Sequence, residues 1–209
     1  MKVVVFGATG RTGLEVVKRA LAAGHTVSAF MRESSRVPFE HPRLHSFKGS
    51  VFDPEAVGAA VRGQDAVVCT LGAKGLGKTT VRAEGTRTVV SAMQRRGVGR
   101  LVVVSTLGAK ESWEQLSPLE RALFMLLLKN AKADHDRQED VVTASGLDWT
   151  IVRPGELTDG EPTGRYSVAT DRVTRPRRVP RADVADAILK VLTDPTSVGQ
   201  AVTLVGRSR

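Results

Sequence analysis

The run KVVVF, Lys2–Phe6, leads straight into GATGRTG, Gly7–Gly13, and the reading of this junction decides the fold. Three consecutive valines and a phenylalanine favour extended backbone, and a glycine ends the run. The segment that follows, RTGLEVVKRALAA, carries apolar residues at helical spacing until Gly24 stops it. The unit is strand, turn, helix. Its glycines stand at Gly7, Gly10 and Gly13, and each has a physical task. The first allows a tight turn, the second close approach of backbone to a bound anion, and the third close packing of helix on strand. The amides of Arg11 and Thr12 then open the helix and face that anion, as phosphate groups require.

Working outward, the alternation continues. TVSAFM reads as a second strand, LHSF as a third, PEAVGAAV as a helix opened by Pro54 behind Asp53, and DAVVCTL as a fourth strand. TTVRAEGTRTVVSAMQRR is helical, Gly97 and Gly99 punctuate it, and RLVVVS is a fifth strand. A long helix is expected over Pro118 to Ala144, then the strand LDWTIV, a capped helix RADVADAILKVLTD and a last strand AVTLV. Repeated strand and helix with almost continuously apolar strands predicts an α/β fold: a Rossmann-type doubly wound parallel sheet with helices on both faces. The expected organisation is one domain over residues 1–209, its part from about 150 to 209 contributing to a substrate pocket. Ligands of such sheets lie at the carboxyl ends of the strands, near the point where strand order reverses. The run ALFMLLL, Ala122–Leu128, is apolar all round, as in a membrane-touching or dimer-forming helix, but burial, against a substrate pocket, is its expected state.

Composition narrows the function. The chain of 209 residues carries a net charge of +9, one cysteine and 4% aromatic residues. The densest basic stretch, RVTRPRR at Arg172–Arg178, is short, and aromatic platforms for stacking bases are scarce, so direct nucleic-acid binding is not expected. A solvated basic face that attracts anionic cofactors fits better. Cys69 lies inside an apolar run and reads as a small buried hydrophobe, with no metal site and no intrachain disulfide. No secretory signal or membrane-length apolar run is visible, so the expected state is a soluble cytoplasmic protein, monomer or homodimer.

A second glycine-rich stretch competes for the phosphate. GAKGLGKT, Gly72–Thr79, fits the nucleotide-triphosphate template G-x-x-x-x-G-K-[ST] and follows an apolar strand. Such a loop also needs an acidic residue ending a neighbouring strand to hold magnesium. The candidate strand, RLVVVS, ends in Ser105. The first strand already carries a pyrophosphate loop, so GAKGLGKT is expected to be a loop over the cofactor, in which Lys74 or Lys78 touches a phosphate.

The end of the second strand names the cofactor. NAD readers place an acid there for the ribose hydroxyl, whereas NADP readers need cations. This chain writes FMRESSR: Arg32, Ser34, Ser35 and Arg36 offer two guanidiniums and two hydroxyls to a 2′-phosphate, with Glu33 turned outward. NADP(H) is the expected cofactor.

GATGRTG, RESSR, TTVRAEGTRTVVSAMQRRGV, SGLDWTIVRPG and RADVADAILKVLTD together resemble the atypical short-chain dehydrogenase/reductase families with an NAD(P)H-binding, NmrA-like domain, and within them the flavin reductases. The resemblance runs nearly end to end. It implies pyrophosphate contacts from Gly7, Thr9, Gly10, Arg11, Thr12 and Gly13, and a nicotinamide side lined by Leu71 and Gly72. Many relatives bond the adenine through an Asp after the third strand; Ser50 stands there, followed by a packing residue, Val51. Ser105 and Thr106 would edge nicotinamide and substrate, and Arg153 and Pro154 would shape the strand exit. His135 falls where the flavin reductases place a pocket histidine, suited to proton delivery or to orienting an anion. Glu156 replaces a second one.

Superfamily members that reduce carbonyls use a Tyr-x-x-x-Lys pair. The one tyrosine, Tyr166, is followed four residues later by Thr170, so that pair is absent. Acceptors that delocalise charge, such as flavins and quinones, demand less. The expected activity is NADPH-dependent hydride transfer to such a small-molecule electron acceptor by Ser105, Thr106, His135 and Glu156. The alternative is a non-catalytic NADP(H) sensor of NmrA-like type that regulates a protein partner.

Overall fold

In the computed structural model, which describes residues 1–73, 75, 77–170 and 178–207, strand and helix alternate from the first residues. β1 (Lys2–Phe6), α1 (Arg11–Ala22), β2 (Thr26–Met31), β3 (Leu44–Lys48), α2 (Pro54–Val61), β4 (Ala66–Cys69), α3 (Val81–Arg96) and β5 (Arg100–Val104) make up the first half. A 3-10 turn (Lys110–Gln115), α4 (Pro118–Thr143), β6 (Asp148–Pro154), β7 (Glu156–Thr158), β8 (Tyr166–Ala169), β9 (Arg178–Pro180), α5 (Arg181–Thr193) and β10 (Gln200–Gly206) complete it. The strands order as β3-β2-β1-β4-β5-β6-β10-β8, all parallel except β8, which pairs antiparallel with β10. Strand order therefore reverses between β1 and β4, where Val3 pairs with Val27 on one side and Ala66 on the other.

Successive side chains of a strand point to opposite faces, and the core divides accordingly. Val3 and Val5 join the residues beneath α1 and α5, whereas Val4 and Phe6 join those beneath α2, α3 and α4. Both layers are closed to water, which is why the strands read as continuous apolar runs rather than alternating ones. Cys69 is one of these buried hydrophobes, as expected, and burial pushes its thiol pKa up.

Helix starts are closed by different chemistry. Asp53 caps α2 through the amides of Glu55 and Ala56, and Ser117 with Glu120 forms a capping box on α4. The expected cap on α5 is not found: Pro180 precedes it with no side-chain cap, and Asp183, fully buried in the first turn, instead accepts from the amides of Thr163 and Gly164. Asp183 thus fastens the loop after β7.

Burial of Ala122–Leu128 is overturned. Leu123, Leu126 and Leu127 are 54%, 77% and 48% exposed. At about 1.5 Å per residue the 26 residues of α4 outreach the sheet, and its buried residues are confined to Asp134–Val142. In the overhanging half Phe124 and Leu128 are half-buried, and Phe124 meets Trp113 edge to face. Among the described residues no helix is long and apolar enough to cross a membrane. The basic stretch Arg172–Arg177 and Lys74 lie outside the described residues.

The buried half of α4 is fastened to β6 by an ion pair. Arg153 donates to both carboxylate oxygens of Glu139, at 3.0 and 2.5 Å, and to Glu111 at 2.7 Å, with Arg153 and Glu139 side chains 5% and 1% exposed. Removing one partner strands a buried charge. Arg153→Met is expected to lower unfolding free energy by about 3–5 kcal/mol, measured by urea denaturation, and Glu139→Gln with Arg153→Met together by less than Arg153→Met alone.

Candidate functional site

The β1–α1 turn is built by close contact. Gly7 adopts φ +81°, and a Cβ there would lie 2.6 Å from the carbonyl oxygen of Thr70; a Cβ on Gly13 would lie 2.2 Å from the carbonyl oxygen of Gly7. Only glycine fits at either position. The Thr70 hydroxyl donates to the carbonyls of Phe6 and Gly7, at 2.9 and 3.3 Å, which pins the turn against the end of β4. Gly10 is the N-cap of α1, and its amide donates to the carbonyl of Gly7 at 2.9 Å. Among the described residues no side chain caps α1, and no acid occupies its first turn. The amides and the positive end of the helix dipole at Arg11 and Thr12 are left for an external anion.

α3 is the contrast. Asp134, fully buried, accepts from the amides of Arg82 and Ala83 at 3.2 and 3.1 Å, so the protein's own carboxylate fills the anion position at that helix start. GAKGLGKT precedes α3, but Lys78 and Thr79 stop short of the helix, and the Thr79 hydroxyl accepts from the amide of Val81. A triphosphate loop seats its phosphates on the start of the following helix, and here that position is taken.

The remaining sequence-derived residues follow parallel strands and so gather along one edge of the sheet. Arg32, Ser35 and Arg36 lie after β2, where the amide of Ser35 closes a turn on the carbonyl of Arg32. Both arginines are exposed. Ser50 follows β3 and its hydroxyl accepts from the amide of Phe52, while Val51 packs on the α2–α3 layer. Val51 and Leu71 meet at Gly85 of α3, where a Cβ would lie 3.0 and 2.7 Å from them, so that glycine sets how closely α3 approaches the strand ends. Gly72 is exposed beyond β4.

Of the four residues expected to do chemistry, the structure brings two into contact. Ser105 Oγ lies 3.4 Å from His135 Nδ1, and both are buried. Burial, and then the charge of Arg82, hold the pKa of His135 down at about 3, so the imidazole is neutral at physiological pH rather than switching near 7. Thr106 is half-buried and its hydroxyl donates to the carbonyl of Leu107. Glu156 is exposed on a two-stranded ribbon of β7 and β9, 3.2 Å from Arg178. Arg153, at the exit of β6 before Pro154, spends its guanidinium on Glu139 and Glu111.

Three participants carried no signal in the sequence. Thr70 is an ordinary residue at a strand end. Asp134 and Arg82 acquire meaning only when α4 packs on α3. A fourth, Asp159 after β7, receives Arg11 at 2.8 Å and Arg181 at 2.7 Å, drawing the C-terminal part of the chain across the start of α1.

Tyr166 does have a lysine beside it, though not at the expected spacing. Lys190 Nζ donates to its hydroxyl at 2.7 Å, and that hydroxyl donates to Asp186 at 2.5 Å. Burial and the bond to Asp186 raise the tyrosine pKa, the reverse of activation. The pair lies with α5, on the opposite face of the sheet from His135.

Comparison with known proteins agrees with this frame. Residues 7–195 match the family model described as NAD(P)H-binding. A chloroplastic protein of Arabidopsis thaliana is 30% identical over 99% of this chain and 77% of its own length. YhfK of Bacillus subtilis, described as an uncharacterized sugar epimerase, is 29% identical over 98% of this chain and 94% of its own. Among solved structures, ChuY, an anaerobilin reductase from Escherichia coli O157:H7, is 26% identical with a TM-score of 0.81, over 100% of this chain and 98% of that one. With its eight-stranded, mostly parallel sheet and its glycine turn after the first strand, the chain belongs to the NAD(P)H-binding family.

Proposed function

We propose that the protein is an NADPH-dependent oxidoreductase that passes hydride to a flavin, quinone or similar conjugated acceptor. The observation that carries this reading is the start of α1. Among the described residues it has neither side-chain cap nor first-turn acid, directly after the first strand and beside the reversal of strand order, and it offers its amides to a diphosphate. The donor set fits the cofactor. Gly7, Thr9, Gly10, Arg11, Thr12 and Gly13 would hold the diphosphate, and Arg32, Ser35 and Arg36 a 2′-phosphate. Ser50, Val51, Leu71 and Gly72 would line the adenine and nicotinamide sides. When bound, the nicotinamide supplies hydride chemistry.

The protein's residues then orient and shield. Ser105 and the neutral His135 form a buried polar pair at the end of β5, able to hold an acceptor by hydrogen bonds without charging it. With His135 held neutral, the proton that completes reduction comes from solvent. Such a site suits an acceptor that spreads negative charge until it is protonated. The reductase activity of ChuY supports a reductase reading here, whereas the epimerase description of YhfK would require acid–base groups at a sugar carbon. The tyrosine and lysine that would serve there stand on the other face of the sheet.

A second reading is a sensor that binds NADP(H) and signals to a protein partner. The absence of a Tyr–Lys pair at the strand ends favours it. The discriminating experiment follows oxidation of NADPH and NADH with riboflavin, FMN and a small quinone. Turnover supports the reductase, and tight NADPH binding with none supports the sensor.

Replacing Arg32 and Arg36 together by Ala is expected to raise the KM for NADPH about tenfold or more, from loss of charge-assisted bonds of about 1.5–3 kcal/mol, and to leave the KM for NADH within about twofold. Steady-state kinetics with both nucleotides checks this.

A further prediction concerns pH. Folding keeps His135 uncharged down to about pH 3, while the unfolded chain takes up its proton near 6.5. Its contribution to stability is therefore complete above about 6.5 and lost progressively as pH falls toward 3. Between pH 7 and pH 5 this amounts to about 2 kcal/mol. Urea unfolding at the two pH values should show that loss, and His135→Gln should remove most of it. A folded-state imidazole that titrates near 6.5 by NMR would contradict the assignment.

A further inference from the structure

Arg82, the second residue of α3, meets Asp134, the residue before His135, and its charge is felt by that imidazole. Its Nη1 reaches Asp134 at 3.4 Å, at the long end of a hydrogen bond, and Asp134 is otherwise committed to the amides at the start of α3. Arg82 Nε is buried with no hydrogen-bond partner among the described residues, and the side chain as a whole is 13% exposed. A guanidinium has five donors in a fixed fork, and leaving them empty away from water is costly. The charged neighbours do not fill it. Asp136 is spent on the amide of Lys110 and on Lys132, and Glu84 pairs with Arg87.

We infer that Arg82 is the anion-reading residue of the acceptor site, and that the acceptor carries a carboxylate or a similar paired oxyanion seated on the edge of its guanidinium that holds Nε, which binding must uncover because Nε is enclosed. A carboxylate matches that edge in two bonds, which a lysine at the same place could not reproduce. The neutral imidazole of His135 adds a hydrogen-bonding group without another charge. This inference deepens the reductase reading and rests on it for the identity of the ligand as an acceptor, but the anion site can be tested by itself.

The probes are 2-naphthoate and its uncharged amide, 2-naphthamide, titrated by calorimetry into wild-type protein saturated with NADP+. Naphthoate is expected to bind at least about tenfold more tightly than the amide, and Arg82→Met and Arg82→Lys each to lose most of that preference. Equal affinities for the two probes in the wild-type protein overturn the inference, whatever the variants do. So does an NADP+ affinity that falls tenfold in Arg82→Met, because Arg82 would then be reading the cofactor. An Arg82-dependent preference for naphthoate in a protein that does not turn over NADPH with riboflavin, FMN or the quinone would uphold the anion site while the reductase reading fails.

Discussion

The structure depends on how closely the β1–α1 turn can approach β4. Thr70 holds the carbonyls of Phe6 and Gly7, and the absence of a side chain at Gly7 and Gly13 lets α1 come down on that contact. Any Cβ at either glycine would push the helix off the strand end. Because the approach is so close, the first amides of α1 end up beside the gap between β1 and β4. Turn, helix dipole and strand order thus converge on one place, and the cofactor family follows from that convergence.

The helix starts show how the same physics can be opened or closed. α2 and α4 are sealed by residues adjacent in sequence, Asp53 and Ser117, and α3 by Asp134, which arrives from α4. α1 has no such seal among the described residues. This difference also decides between the two glycine-rich loops. GAKGLGKT matches a nucleotide template letter by letter, yet the helix behind it already holds an anion of the protein's own.

Much of this was legible in the sequence because it is local. The β1–α1 junction, the alternation of strands and helices and the cap at Asp53 are written in neighbouring residues, and the structure has them as read. What was not legible depends on residues far apart. α5 reads as a capped helix, yet Pro180 precedes it without a side-chain cap and Asp183 of its first turn binds the amides of Thr163 and Gly164. Ala122–Leu128 has the composition of a core helix, yet α4 outruns the sheet and leaves it exposed. The antiparallel edge strand β8 and the β7–β9 ribbon are too short for a periodic signal. In the site, the glycines and the arginines after β2 could be named from spacing. Thr70, Arg82 and Asp134 could not, because their partners are set by packing, and the neutrality of His135 is a consequence of burial beside Arg82.

The most direct measurement is a crystal structure of the protein with NADP+. The account predicts the diphosphate on the amides of Arg11 and Thr12, with the 2′-phosphate between Arg32 and Arg36. A nucleotide whose phosphates lie beside Lys78, with the start of α1 left bare, would contradict it.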